Sequence, residues 1–280
     1  MVKAIFAYKI FENYWKSKDD YFWTVARLSV EYASKFYRTC LYADTKTQKI
    51  LSANGLEFDE YVDSTELFKT VTEHSYGMTK VLTMIEQTEP YIILDLDTVI
   101  FSAVNSTSHI CYGHKEINLE AIKPVGDKIP DLYYLEEYYK RPYERFKLKY
   151  DLQLRDINWN YFPSNSLILV NSPFLVSQIY TEILELMSED IFMVPPPYTV
   201  QFYEQFLFYN FFNHLKLEVD FIYQVPPGGT YDDFVNLLDL YQFKYLHLDT
   251  YDRSASTKKV IDLLKKTLDK VGSNEDISYI

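Results

Sequence analysis

Asp95 and Asp97 are the residues of this chain best placed to do chemistry. They lie in Tyr91-Ile-Ile-Leu-Asp-Leu-Asp-Thr-Val-Ile-Phe101, where four apolar residues lead in and an apolar run follows. On a strand, side chains alternate with period 2, so carboxylates at i and i+2 share one face. A buried strand carries two such charges only where a cation or a strong hydrogen-bond set compensates their lost hydration. The spacing therefore predicts a metal site at a strand's C-terminal end, where open α/β sheets place their ligands. The same pattern, D-x-D-x-[TV], also fits a carboxylate nucleophile followed by a general acid/base.

The elements that must position this pair read as alternating strands and helices. Residues 2–8 predict a strand, 20–37 a helix, 39–43 a second strand ending at Asp44, and 57–62 a short third one. Ser64 reads as the N-cap of a short helix over 65–71. Residues 77–87 predict a helix with Met78, Val81, Leu82 and Ile85 on one side, and Pro90 then opens the aspartate strand, 91–101. Such alternation implies an α/β fold with a mostly parallel sheet covered on both faces. Past the aspartates, 110–113 and 166–170 read as strands and 173–187 as a helix with Pro in its first turn. Residues 120–150 are irregular and crowded with tyrosines, and 195–197 form a Pro-Pro-Pro connector. An aromatic helix over 199–212, strands over 221–224 and 245–248, and an amphipathic helix over 257–271 complete the chain.

Composition excludes several classes. With 280 residues, 48% of them hydrophobic, the chain has ample material for a core. Its net charge of -12 argues against nucleic acid as a partner and against anionic lipid, since both need cationic surface. No run approaches the ~20 apolar residues of a membrane span. The apolar part of the first residues is too short for a signal peptide, so the expectation is a cytoplasmic protein. Cys40 and Cys111 each sit in an apolar stretch and read as buried small hydrophobes. There is no G-x-G-x-x-G, P-loop or G-x-S-x-G elbow.

In this setting the chain resembles the GT-A-fold, nucleotide-sugar-dependent glycosyltransferases, most closely their glycogenin-like and galactosyltransferase-like group. Four marks in order carry the resemblance: an N-terminal βαβ half with Asp44 ending its second strand; Asp95-Leu96-Asp97, similar to the DxD motif; Tyr161-Phe-Pro-Ser-Asn-Ser-Leu-Ile-Leu-Val-Asn171, similar to an acceptor-side strand; and a late His247 after an apolar strand. Ser164-Asn165-Ser166 stands where a Gly is usual, and Glu204-Gln205 where Asp-Gln is common. The resemblance implies a mostly parallel central sheet flanked by helices, with a small mixed sheet near the active site. It implies one domain over residues 1–272: a nucleotide-binding half (1–101), an acceptor and metal half (102–256), a terminal helix (257–272), and a loose tail (273–280).

The resemblance also implies roles. Asp97 binds Mn²⁺ or Mg²⁺, Asp95 binds the metal, the ribose or both, and His247 completes the protein ligands. Ala7, Tyr8 and Asp44 meet the nucleotide. Lys80 reaches a phosphate or sugar oxygen, and Asn165 orients the donor. Asn171 and Tyr161 belong to the acceptor side. Glu204, with Gln205 beside it, stands near the anomeric carbon. The implied partners are a nucleotide-sugar donor, UDP before GDP, and a glycan or other hydroxyl acceptor.

Ordinary readings of the same residues stay open. Asp44 is also a turn residue, Lys80 a helix-surface lysine, and His247 a strand histidine with one hydrogen bond. Asn165 and Asn171 also suit turns fixed by side chain to backbone bonds. Two other functions remain: a haloacid-dehalogenase-type phosphatase using Asp95 and Asp97, and a relative that binds nucleotide sugar or glycan without turnover. Against the phosphatase, its aspartate motif normally follows the first strand of the domain, whereas three strands precede Asp95.

Overall fold

A computed structural model of the chain describes residues 2–11, 20–117, 161–187, 208–223, 245–247 and, in helical conformation, Lys258, Lys259, Ile261, Asp262, Leu264, Lys265 and Lys266. The tyrosine-rich stretch 120–150, the connector 195–197, Glu204, Gln205, the first part of the aromatic helix (199–207) and the tail 273–280 lie outside the described residues.

Four parallel strands form one half of the central sheet: β1 (Lys3–Tyr8), β2 (Arg38–Ala43), β3 (Glu60–Asp63) and β4 (Tyr91–Leu94), in the spatial order β3-β2-β1-β4. The other half is mixed. β8 (Leu167–Val170) runs antiparallel to β4, and β6 (Ile110–Ile117) antiparallel to β8. β7 (Tyr161–Pro163) pairs antiparallel with the end of β6, and β9 (Val219–Tyr223) lies parallel to it. A separate antiparallel pair joins β5 (Thr98–Ile100) to β10 (Tyr245–His247). The helices are α1 (Asp20–Ser34), α2 (Thr45–Ala53), α3 (Met78–Ile85), α4 (Pro173–Met187) and α5 (Phe208–His214). The α/β class, the helix-flanked sheet and the small extra sheet are those the sequence implies.

Both faces of the sheet are covered, which is why its central strands are apolar throughout. Ile5, Tyr91, Ile93, Ile168, Val170 and Tyr112 point to one face, against Val81 and Met84 of α3, Val176 and Tyr180 of α4 and the phenylalanines of α5. Ala4, Phe6, Ile92, Leu94, Leu167 and Leu169 point to the other, against Phe22, Ala26 and Val30 of α1. A third cluster joins Val25, Leu28 and Tyr32 of α1 to Val99, Leu246, Ile261 and Leu264, so the small sheet is pinned between α1 and the C-terminal helical residues. Cys40 and Cys111 are buried and free.

Three local features differ from the sequence expectation. First, 91–101 is not one strand. The chain turns at Asp95–Asp97, where Thr98 N donates to Asp95 O at 3.1 Å, and β5 leaves the central sheet for β10. Second, 65–71 is a series of turns rather than a helix. Asp63 Oδ1 accepts from Thr65 N at 3.0 Å and from its hydroxyl at 2.6 Å, while Ser64 Oγ donates to Val62 O at 3.2 Å instead of capping. Lys9 Nζ then takes the carbonyls of Phe68 and Val71 at 2.6 and 2.8 Å. Third, α2 is an added element. Asp44 caps it by accepting from Thr47 N at 2.7 Å, and Gly55 (φ 79°) ends it in the left-handed conformation open to glycine.

Candidate active site

Three parallel strands end side by side, and each hands a polar residue to the same edge: β2 gives Asp44, β1 gives Tyr8 and β4 gives Asp95. The turn after β4 is held from several directions. Tyr8 Oη accepts from Leu96 N at 2.8 Å and donates to Asp95 Oδ1 at 3.4 Å. Asp95 N donates to Ser166 O at 2.9 Å, continuing the β4–β8 ladder. From α1, the buried Ser29 hydroxyl lies 3.1 Å from Asp95 O and 2.6 Å from Thr98 O.

Lys80 reaches the turn because α3 is anchored at its start, where Thr79 Oγ1 bonds the Ala7 carbonyl at 3.1 Å. Lys80 Nζ sits 2.7 Å from Asp95 Oδ1 and donates to Asn165 O at 3.0 Å. It is not a surface lysine: its side chain is 11% exposed. Burial raises the Asp95 carboxyl above the usual carboxylate range, opposed by the Lys80 ammonium and reinforced by the Asp97 charge.

His247 arrives from 150 residues away in sequence. The antiparallel register pairs it with Thr98, the residue after Asp97, and its Nε2 stands 3.4 Å from Asp97 Oδ1. One ligand atom each from Asp95, Asp97 and His247 falls within 4.8 Å of the others. Adjacent ligands on an octahedron with 2.1 Å bonds are about 3 Å apart and opposite ones about 4.2 Å, so a small inward movement of these side chains would close on a cation. Two carboxylates and an imidazole suit Mn²⁺, and Mg²⁺ where water fills in.

The remaining sequence candidates fall in several places. Asn165 is buried between β7 and β8, and its carbonyl receives Lys80. Asn171 donates through Nδ2 to the carbonyls of Ser106 and Ser108, both at 2.8 Å, and so shapes that loop. Tyr161 begins β7, its backbone opposite Ile117. Glu204 and Gln205 lie outside the described residues.

Sequence comparison adds one family: the model of a family of unknown function (DUF6734) matches residues 9–129. No curated protein matches the chain. Among solved structures, the chain is similar to the galactosyltransferase LgtC in complex with donor and acceptor sugar analogues, at 13% identity and TM-score 0.46, over 96% of each chain. It is similar to the glycosyltransferase GlyE of Streptococcus pneumoniae TIGR4, at 8% identity and TM-score 0.44, over 98% of this chain and 64% of that one. It is also similar to mouse xyloside xylosyltransferase 1 in its apo form, at 11% identity and TM-score 0.35, over 66% of this chain and 72% of that one.

The chain's own geometry defines what the site can do. The Lys80 ammonium and the two carboxylates together carry one net negative charge. A divalent cation would reverse that to one net positive, an arrangement suited to an anionic diphosphate. Two supporting residues escape sequence reading. Ser29 was visible only as a hydroxyl among apolar positions of α1, and Tyr245 carried no signal of its place beside β6.

Proposed function

We propose that this chain is a metal-dependent glycosyltransferase that moves a hexose from a nucleoside-diphosphate sugar, with UDP as the nucleotide, to a glycan or other hydroxyl acceptor. The observation that carries the reading is the cluster of Asp95, Asp97 and His247 beside Lys80, at the C-terminal ends of parallel strands. When bound, a divalent cation supplies neutralising charge to diphosphate oxygens as the bond from sugar to phosphate breaks. Asp97 and His247 are the ligands whose geometry is set by the β5–β10 register. Asp95 is oriented by Lys80 and Tyr8. Asp44, Ala7 and Tyr8 border the nucleoside at the ends of β2 and β1, and Asn165 borders the donor sugar. Tyr161, on β7 beside the end of β6, belongs to the acceptor side; Asn171 lies with the 106–108 loop at the end of β8 opposite the Asp95 turn, and its acceptor role rests on the sequence resemblance alone. Glu204 and Gln205 stay assigned to the anomeric carbon by the sequence resemblance.

The test is thermal unfolding of the full chain with UDP or GDP, with and without Mn²⁺, together with UDP-sugar hydrolysis. A ligand that binds only the native state stabilises it by ~2.7 kcal/mol at a hundredfold excess over Kd. The expected result is a UDP shift that requires Mn²⁺ and is lost in Asp97→Asn. Metal-independent UDP binding would remove the metal from the reading. Release of phosphate from a generic phosphoester, abolished in Asp95→Asn, would favour the phosphatase instead.

A further inference from the structure

Among the described residues β10 comprises Tyr245–His247, and it delivers one of three candidate metal ligands. Its antiparallel pairing with β5 is one hold on a ligand that must stand at a fixed place. A second tie comes from the central sheet. Tyr245 is 3% exposed, and its ring lies over Gly113 of β6 so closely that a Cβ added at Gly113 would meet Tyr245 Cζ at 2.6 Å. Only glycine admits that approach. The Tyr245 hydroxyl bonds Nδ1 of the next residue, His114, and the two rings lie roughly parallel (23°) with centroids 6.0 Å apart. His114 is itself fixed in the sheet, since its carbonyl accepts from Ser164 N at 2.8 Å.

We infer that Gly113, His114 and Tyr245 form a latch that docks β10 onto β6 and thereby holds His247 at the Asp95–Asp97 turn. The ring of Tyr245 fills the space left by Gly113, and its hydroxyl fixes the depth of insertion through His114. Period-2 alternation then sends His247, two residues on, to the same side of β10 as Tyr245. The bond between the Tyr245 hydroxyl and His114 Nδ1 can form with either atom as donor, according to the tautomer of the ring. His114 and Tyr245 are thus positioning residues that act through His247. Outer partners of this kind typically change metal affinity by roughly 10–100-fold. The inference rests on the metal-site reading of Asp95, Asp97 and His247.

The test uses Mn²⁺ alone, with the full chain and no nucleotide. Mn²⁺ affinity is read from the loss of the free-ion EPR signal, and the ligand set from ¹⁴N coupling in pulsed EPR of the bound ion. Circular dichroism confirms that each variant is folded. The expected result is ¹⁴N coupling in the wild-type chain and at least tenfold weaker Mn²⁺ binding with reduced ¹⁴N coupling in Tyr245→Phe. His114→Gln gives the same change, and the double variant is no weaker than either single one. Wild-type affinity and ¹⁴N coupling in both single variants overturn the latch while leaving the metal site intact. Additive losses in the double variant overturn it too, because they make the two side chains independent. Mn²⁺ binding by the wild-type chain without ¹⁴N coupling, or no binding at all, overturns the metal-site reading and the latch with it.

Discussion

Lys80 Nζ lies 2.7 Å from Asp95 Oδ1, with 11% of one side chain and 22% of the other exposed. The lysine therefore stands as the internal cation that makes a buried carboxylate tolerable, and it binds the β7–β8 corner through Asn165 O at the same time. Lys80→Met keeps the aliphatic stem and removes the charge. The pair is partly exposed, so the expected cost without metal is about 2 kcal/mol, below the roughly 3–5 kcal/mol of a fully buried broken pair. Added Mn²⁺ should recover part of that loss, since a cation at the turn takes over the compensation. Urea unfolding with and without Mn²⁺ checks both statements.

Ser29 serves the same turn from below. Its hydroxyl is fully buried and reaches two backbone carbonyls, Asp95 O and Thr98 O, on either side of Asp97. Ser29→Ala leaves those carbonyls with one donor fewer, at a cost of about 1–2 kcal/mol. Because the carbonyls flank a candidate ligand, Mn²⁺ affinity should fall as well. Ser29→Thr, which keeps the hydroxyl, should lose less of that affinity. Equal losses in the two variants would mean that packing, not the hydrogen bond, is what the serine supplies.

What could be read from sequence here divides along local against distant interactions. The apolar runs of β1, β2, β4 and β8 announce buried strands because period and composition are local properties. The aspartate pair announces a charge that needs compensation. The turn at Asp95–Asp97 was hidden, because Thr98-Val99-Ile100 is as good a strand sequence as Tyr91–Leu94; only pairing with β10 decides where the strand breaks. The distance from Lys80 to Asp95 depends on Thr79 seating α3 against β1, again a tertiary fact. Helix α2 escaped because its apolar positions are few, although Asp44 and Thr47 have the spacing of a cap and the amide it bonds.

His114 gives a pH dependence with a definite sign. Its folded pKa is about 4, against 6.5 for the free side chain. Between those values the unfolded chain binds more protons than the native one, so stability rises with pH. The contribution is fully present above about 6.5, is lost as pH falls toward 4, and levels off below that. One such group gives at most about 1.4 kcal/mol per pH unit. His114→Gln should flatten this part of the stability profile, measured by denaturant unfolding from pH 4 to 7. A difference profile with the opposite slope would place a charged imidazole in the native state.

The C-terminal helical residues bear on the site through the small sheet. Leu264 is fully buried against Val99 of β5 and Leu246 of β10, and its carbonyl accepts from Tyr32 Oη at 2.9 Å. Leu246 directly precedes His247, so this packing holds β10 from the side opposite to the Tyr245 contact with β6. Leu264→Ala should cost about 2–4 kcal/mol by opening a cavity. Leu51→Ala makes a comparable hole elsewhere, since Leu51 of α2 is also fully buried but packs on the parallel half of the sheet. The two variants should lose similar stability in urea, while Leu264→Ala alone should weaken Mn²⁺ binding severalfold. Equal Mn²⁺ affinities would show that β10 keeps His247 in place without the helix behind it, leaving the β6 contact and the pairing with β5 to do so.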